Sequence, residues 1–232
     1  MKINNLYIML IVAVVCASCE IDNYDEPTAV FSGNIVYQGE PIRVAADEVP
    51  FQLYQEGYAL KGPFDVWIAQ DGSFSSILGP GDFKLKLVDG QGPFKSKIVN
   101  QQQLDTIYVD YSGDKQLDIE VDPYYMIRNT DISLSEKTVS ASFSLEKILQ
   151  GEDGKDIETV YLYINRGVLI SNRSNNYYVA RTQAEDLSDL NNMNLSVDIP
   201  DDYNRPYIYA RVGVKMVGVE DFIFSEVVKL DL

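Results

Sequence analysis

The chain has 232 residues, 35 acidic against 19 basic, and a formal charge of −16. That balance argues against nucleic acid and anionic lipid as partners, because both attract clustered Lys and Arg. There is no histidine, and the two cysteines, Cys16 and Cys19, lie near the N-terminus. The body of the chain therefore lacks the groups for Ser-His-Asp or Cys-His catalysis, imidazole acid–base work, His-containing zinc sites and internal disulfides.

The first element is a leader. Lys2 supplies a short cationic region, and Leu6 to Val15 an apolar run of signal-peptide length, too short to span a bilayer as a stable helix. It ends in Cys16-Ala17-Ser18-Cys19, where small residues precede Cys19 as a lipoprotein signal peptidase requires. Cys16 follows bulky Val14 and Val15 and is the poorer acceptor. Residues 1–18 read as a lipoprotein signal peptide and Cys19 as the lipidated residue that joins the protein to a lipid bilayer. Each buried acyl methylene adds about 0.8 kcal/mol to such an anchor. An ordinary secretory signal with an incidental cysteine is the alternative.

Residues 19–27 form an acidic tether, with Glu20, Asp22, Asp25 and Glu26 ahead of Pro27. Like charges self-repel and extend it. Acids directly after the cysteine resemble the export signal of surface-exposed lipoproteins in Bacteroidetes, which implies the outer face of the outer membrane. A generic charged linker fits the same residues.

Beyond the tether, apolar residues alternate with polar ones in short runs broken by Gly, Pro, Asn and Asp, a β-sandwich pattern. Ala29 to Tyr37, Phe51 to Tyr54, Phe64 to Ala69, Ser73 to Leu78, Phe83 to Val88, Thr106 to Val109 and Gln116 to Val121 are the expected strands of the first half. Asp71-Gly72, Pro80-Gly81 and Ser112-Gly113 are its turns. The second half is expected to form strands at Met126 to Leu134, Thr138 to Leu145, Ile157 to Asn165, Tyr177 to Thr182, Leu195 to Ile199, Tyr207 to Val217 and Ile223 to Leu230. Ile208, Ala210, Val212, Val214 and Met216 share one face, as in a sheet with one buried side. A short helix is expected within Thr182 to Asn191.

The pattern breaks at Val121-Asp122-Pro123-Tyr124, since proline interrupts a strand ladder. The fold class is all-β, with two tandem β-sandwich domains at residues 28–122 and 123–232. A single large sandwich fits the same strand pattern.

Three motifs occur in order in the first half: Gly33-Asn34-Ile35-Val36-Tyr37-Gln38-Gly39-Glu40-Pro41, then Asp71-Gly72-Ser73-Phe74, then Gly81-Asp82-Phe83-Lys84-Leu85. Together they resemble the carboxypeptidase regulatory-like, transthyretin-like β-sandwich module, with Phe74, Phe83 and Leu85 filling its core. Arg43 to Val49 departs from that module and is expected to be a loop. In the second half, Tyr207 to Val212 followed by Ser225-Glu226-Val227-Val228 resembles the last two strands of an immunoglobulin-like or fibronectin III-like domain. With the tether and Gly92-Pro93-Phe94, the whole chain is similar to a Bacteroidetes family of lipoproteins catalogued as a domain of unknown function. That resemblance implies a place beside starch-utilisation-type glycan uptake systems, with an outer-membrane transporter and its surface lipoproteins as partners. It supplies no active site, and fold does not carry function with it.

No P-loop or dinucleotide fingerprint is present, and no cofactor is expected. Glu152-Asp153-Gly154-Lys155-Asp156 is the densest acidic cluster, but it lacks the alternating ligands of an EF-hand and reads as a solvated loop. Asp110 and Asp114, flanking Ser112-Gly113, read the same way.

Sixteen tyrosines and one tryptophan turn attention to a binding surface, because sugars stack their C–H faces on exposed rings. If Val66, Ile68, Phe51 and Leu53 point inward, alternation turns Trp67 and Tyr54 outward, and Tyr58 follows on the same stretch. Trp67, Tyr54 and Tyr58 are therefore the candidate ligand-binding residues, with Gln52 and Asp65 beside them. Coverage of these rings by a domain interface is the competing explanation. Tyr177 and Tyr178 form a second candidate.

The function expected is that of a non-catalytic glycan-binding or polysaccharide-uptake accessory lipoprotein. A scaffolding subunit of an outer-membrane transporter complex is the alternative. A glycoside hydrolase using paired carboxylates is a distant third, because a chain so rich in acids brings such pairs together by chance.

Overall fold

The computed structural model describes residues 27–55, 62–97, 106–172 and 179–232. The first half holds β1 (Ala29–Tyr37), β2 (Glu40–Pro41), β3 (Pro50–Gln55), β4 (Phe64–Trp67), β5 (Ser73–Leu78), β6 (Gly81–Leu87), β7 (Phe94–Ser96), β8 (Thr106–Tyr111), β9 (Lys115–Gln116) and β10 (Ile119–Pro123). The second holds β11 (Tyr125–Ser135), β12 (Thr138–Lys147), β13 (Ile157–Asn165), β14 (Ala180–Gln183), β15 (Met193–Asp198), β16 (Tyr207–Met216), β17 (Ile223–Phe224) and β18 (Val228–Asp231). Strand pairing changes partners at Tyr124, and every pairing among the described residues stays on one side of it.

In the N-terminal domain, a sheet of order β4-β3-β6-β8 packs against a second sheet built on β1, which pairs with β2, β5, β9 and β10, while β7 extends it beyond β10. Alternation along β3 and β6 buries Phe51, Leu53, Phe83 and Leu85 between the layers. Phe74 reaches across from β5, its ring centroid 4.8 Å from Phe51 and 5.3 Å from Phe31.

The run expected as one strand from Gln116 to Val121 is split into β9 and β10 by Leu117-Asp118. The carboxylate of Asp118 takes over an acceptor position, receiving Asn34 N–H at 2.9 Å. The Leu117 carbonyl meanwhile passes 1.9 Å from where a Cβ on Gly33 would stand, so only glycine fits there. The run expected from Ile223 to Leu230 is split in the same way. Ser225 Oγ accepts the Val212 N–H at 2.9 Å in place of a strand carbonyl.

In the C-terminal domain, β11-β12-β15 faces the sheet β14-β13-β16-β17, with β18 also on β16. Ile208, Ala210, Val212, Val214 and Met216 are buried together, as their alternation requires. The other face of β16 departs from the expected pattern, because Arg211 is also fully buried. The N-terminal domain covers it. Residues 42–49 form the expected loop, yet Val44, Ala45 and Val49 are buried, and the segment lies as a strap on the second domain. Phe224 N–H donates to Arg43 O at 2.9 Å along this strap.

The helix expected within Thr182 to Asn191 is absent; β14 occupies its start and turns follow. Among the described residues, the only helix is the single 3-10 turn Gly151–Asp153.

Candidate functional site

The outer face of the β4-β3-β6-β8 sheet carries two of the expected aromatic residues, Trp67 and Tyr54. Val66 and Ile68 are buried, so Trp67 points outward and is 46 % exposed. Phe51 and Leu53 are buried on β3, and Tyr54 turns to the outer side, half-buried, with its hydroxyl donating to Gln52 Oε1 at 2.9 Å. That bond fixes the ring beside an amide rather than leaving it to swing.

Strand register sets what lies between the rings. Asp65 pairs with Gln52, Gln52 with Lys86, and Lys86 with Thr106 in one row across the sheet. Tyr54 pairs with Lys84, and Lys84 with Tyr108, in the next row. Tyr54 and Tyr108 therefore stand two strand spacings apart, about 10 Å, with Lys84 between them. Trp67 pairs with Pro50 and lies about 14 Å from Tyr54 along the same face. The Lys84 ammonium sits 5.8 Å from the centre of the Tyr108 ring, an arrangement of cation and aromatic face that holds both in place. Asp65, Asp82 and Asp110 are exposed around the two lysines.

This surface offers flat apolar rings separated by carboxylate, amide, hydroxyl and ammonium groups. It can stack against a ligand and hydrogen-bond it at several points. Tyr108, which is 55 % exposed, is not among the residues expected from the sequence. Alternation around buried Val109 marks it as outward, but only the β6–β8 register shows that it shares a row with Tyr54. Cys19, Tyr58, Tyr177 and Tyr178 lie outside the described residues.

The C-terminal domain has a second aromatic-rich face, and the structure uses it differently. Tyr163, Phe222 and Phe224 are buried with Ala45 of the strap. Tyr161 is partly accessible, but the Arg181 guanidinium stacks on its ring at 4.4 Å. Those rings serve the joint between domains, while Trp67, Tyr54 and Tyr108 look outward.

The acidic loop at residues 152–156 is engaged internally. Asp153 pairs with Lys95, Asp156 with Lys147 at 3.5 Å, and the Lys155 carbonyl accepts the Tyr125 hydroxyl at 3.0 Å. Asp114 accepts the Val30 N–H at 2.8 Å. These carboxylates act in folding contacts, and no group of three or more potential metal ligands is found among the described residues.

The fold and this face define a class: an all-β protein of two sandwich domains with an exposed aromatic and polar sheet face. The chain belongs to the DUF3823 family. Residues 29–122 match its N-terminal domain, described as a protein of unknown function, and residues 125–229 match its C-terminal domain of unknown function. A DUF3823 family protein from Bacteroides ovatus ATCC 8483 is 31 % identical, covers 88 % of this chain and 100 % of its own, and superposes with a TM-score of 0.77. One from Parabacteroides merdae ATCC 43184 is 32 % identical, with 89 % and 100 % covered and a TM-score of 0.75. A protein from Bacteroides uniformis ATCC 8492, described as a candidate carbohydrate-binding protein, shares the fold at 18 % identity, 89 % and 100 % coverage and a TM-score of 0.67. No curated protein matches the chain. None of these relatives is described as an enzyme.

Proposed function

We propose that this protein is a non-catalytic, lipid-anchored accessory protein that binds glycan at the cell surface through the outer face of its N-terminal four-stranded sheet. One observation carries the reading: Trp67, Tyr54 and Tyr108 share that face with polar groups set between them in register. Sugar rings present C–H faces to aromatic planes and hydroxyls to the groups around them, and Gln52, Lys84, Lys86 and Asp65 supply both donors and acceptors. The description of the Bacteroides uniformis relative as a candidate carbohydrate-binding protein agrees with this reading. Anchoring through acylated Cys19, and a place on the outer membrane facing the exterior beside a transporter and its surface lipoproteins, complete the proposal.

Affinity electrophoresis in gels cast with neutral polysaccharides tests the face. At least one polysaccharide is expected to retard the protein, and Trp67→Ala or Tyr108→Ala to weaken retardation about tenfold, the scale of one lost stacking contact with its buried area. Retardation equal in the variants and the parent would remove this face from the proposal. No retardation by any polysaccharide, together with recovery of a membrane transporter after mild crosslinking, would favour a scaffolding subunit instead. The anchor is tested separately by palmitate labelling, which Cys19→Ala is expected to abolish.

A further inference from the structure

β1 enters the N-terminal domain at Ala29, two residues after Pro27. Ala29 pairs with Leu78, the Val30 N–H donates to Asp114 at 2.8 Å, and Gln55 Nε2 donates to Pro80 O at 3.3 Å. Gly81 pairs with Tyr111 across β6 and β8. The loops at residues 79–81 and 112–114 therefore close the same end of the sandwich at which β1 begins.

The C-terminal domain joins the opposite end. β1 finishes at Tyr37 beside β2, about 27 Å away at about 3.3 Å per residue. Near that end Glu40 pairs with Arg128, the carbonyls of Gly90 and Gln91 accept at 2.9 Å from the N–H groups of Glu220 and Asp221, and the strap reaches Arg211. The strap lies on the β14-β13-β16-β17 sheet, so the β11-β12-β15 sheet forms the side of the second domain turned away from the joint. Ser133 is exposed on that side, next to buried Ile132 and toward the end of β11 remote from Arg128.

We infer that the end of the N-terminal domain formed by Ala29 and the loops at residues 79–81 and 112–114 faces a lipid bilayer, and that the C-terminal domain is held away from it. The inference rests on the anchor at Cys19 proposed above. From Cys19 to Pro27 the chain has eight residue steps, a reach of at most about 28 Å. With the C-terminal domain against the bilayer instead, Pro27 would be raised by the length of β1 and by the sheet spacing of the second sandwich, together about 37 Å. The tether does not span that distance. Asp82, Asp110 and Asp114 are exposed at the facing end and the tether adds four acids, so this end opposes an anionic lipid surface across the tether rather than resting on it. The same order sets the Tyr54 and Tyr108 row nearer the bilayer than Trp67. β3 runs from Pro50, two residues after the Glu48 that accepts from Ser171 at the joint, to Gln55 beside Pro80.

Fluorescence energy transfer to the bilayer tests the orientation. The full chain, expressed with its leader and acylated, is reconstituted in vesicles of phosphatidylcholine and phosphatidylglycerol that carry acceptor-labelled headgroups. Once the leader is cleaved and Cys19 acylated, the chain has no thiol left, so Gly79→Cys, Gly113→Cys and Ser133→Cys each take a single donor dye. A Cβ at either glycine meets nothing within 4 Å, and Ser133 is exposed, so all three variants keep the fold. Transfer from positions 79 and 113 is expected to be several times that from position 133. Equal transfer from all three, as from a body lying flat, or greater transfer from position 133, overturns the inference and leaves the anchor in place. A chain that does not float with the vesicles removes the anchor itself, and the inference with it.

Discussion

Arg211 of the C-terminal domain donates from both terminal guanidinium nitrogens, each at 3.3 Å, to the carbonyl of Val44 in the N-terminal strap. Its guanidinium carbon lies 3.6 Å from the centre of the Phe224 ring, and a second carbonyl, that of Ile170, also accepts from it. Burial draws the guanidinium down to about 9, with Tyr163 and Glu48 acting against that shift, and it remains a cation at neutral pH. The side chain joins the domains through the strap's backbone, so its removal exposes no surface charge but strands two buried carbonyls. Arg211→Ala is expected to lower stability by about 3 kcal/mol and to separate one calorimetric unfolding transition into two. Arg211→Met, which keeps the packing on Phe224, should cost less. A single unshifted transition in Arg211→Ala would show that other contacts hold the joint.

Gly213 lies on the same face of β16, opposite Tyr161 on one side and Phe224 on the other. A Cβ there would stand 2.6 Å from Phe224 and 3.0 Å from Tyr163, both of them buried rings. Gly213→Val is expected to destabilise by about 2–3 kcal/mol in chemical denaturation through overpacking.

Asp71 closes the turn ahead of β5 by accepting from Ser73 Oγ at 2.6 Å and Ser73 N–H at 3.0 Å. Those hydrogen bonds hold its carboxyl below the usual value of 3.8. A lowered folded-state pKa means that the unfolded chain takes up its proton first as the pH falls. The turn's contribution is therefore complete above the unfolded value and is lost as pH drops through the folded one. Asp71→Ala should melt below the parent at pH 7, and the gap should narrow as the pH falls below about 4. A gap of constant size from pH 7 to pH 3 would mean that the carboxylate's charge does not stabilise the turn. The neighbouring Gln70 donates to Val168 O at 3.0 Å and accepts Ile170 N–H at 3.0 Å, so loosening this turn should reach the domain joint as well.

Much of the strand plan was legible in the sequence. β1, β5 and β13 span the same residues in the structure as in the alternation of their side chains. The strands that broke, at Leu117-Asp118 and at Ser225, did so where a polar side chain displaced a backbone partner, a substitution that a period-two pattern does not register. At the candidate site, the outward turn of Trp67 and Tyr54 followed from buried neighbours one residue away. Tyr108 comes from another strand, and its place beside them depends on which strands pair.

Alternation is local. By itself the sequence determined the all-β class, the strands and the inward side of most of them, because successive side chains on a pleated strand point to opposite faces whatever lies beyond. It could not determine what covers the other side. Arg211 and Tyr163 face away from their own domain's core just as Trp67 and Tyr108 do, yet the strap at residues 42–49 and the segment around Ile170 bury the first pair, while the second pair remains in solvent. Only the docking of one domain on the other decided which aromatic face became a joint and which stayed open to a ligand, since that contact joins residues more than 150 positions apart, Val44 and Arg211 among them.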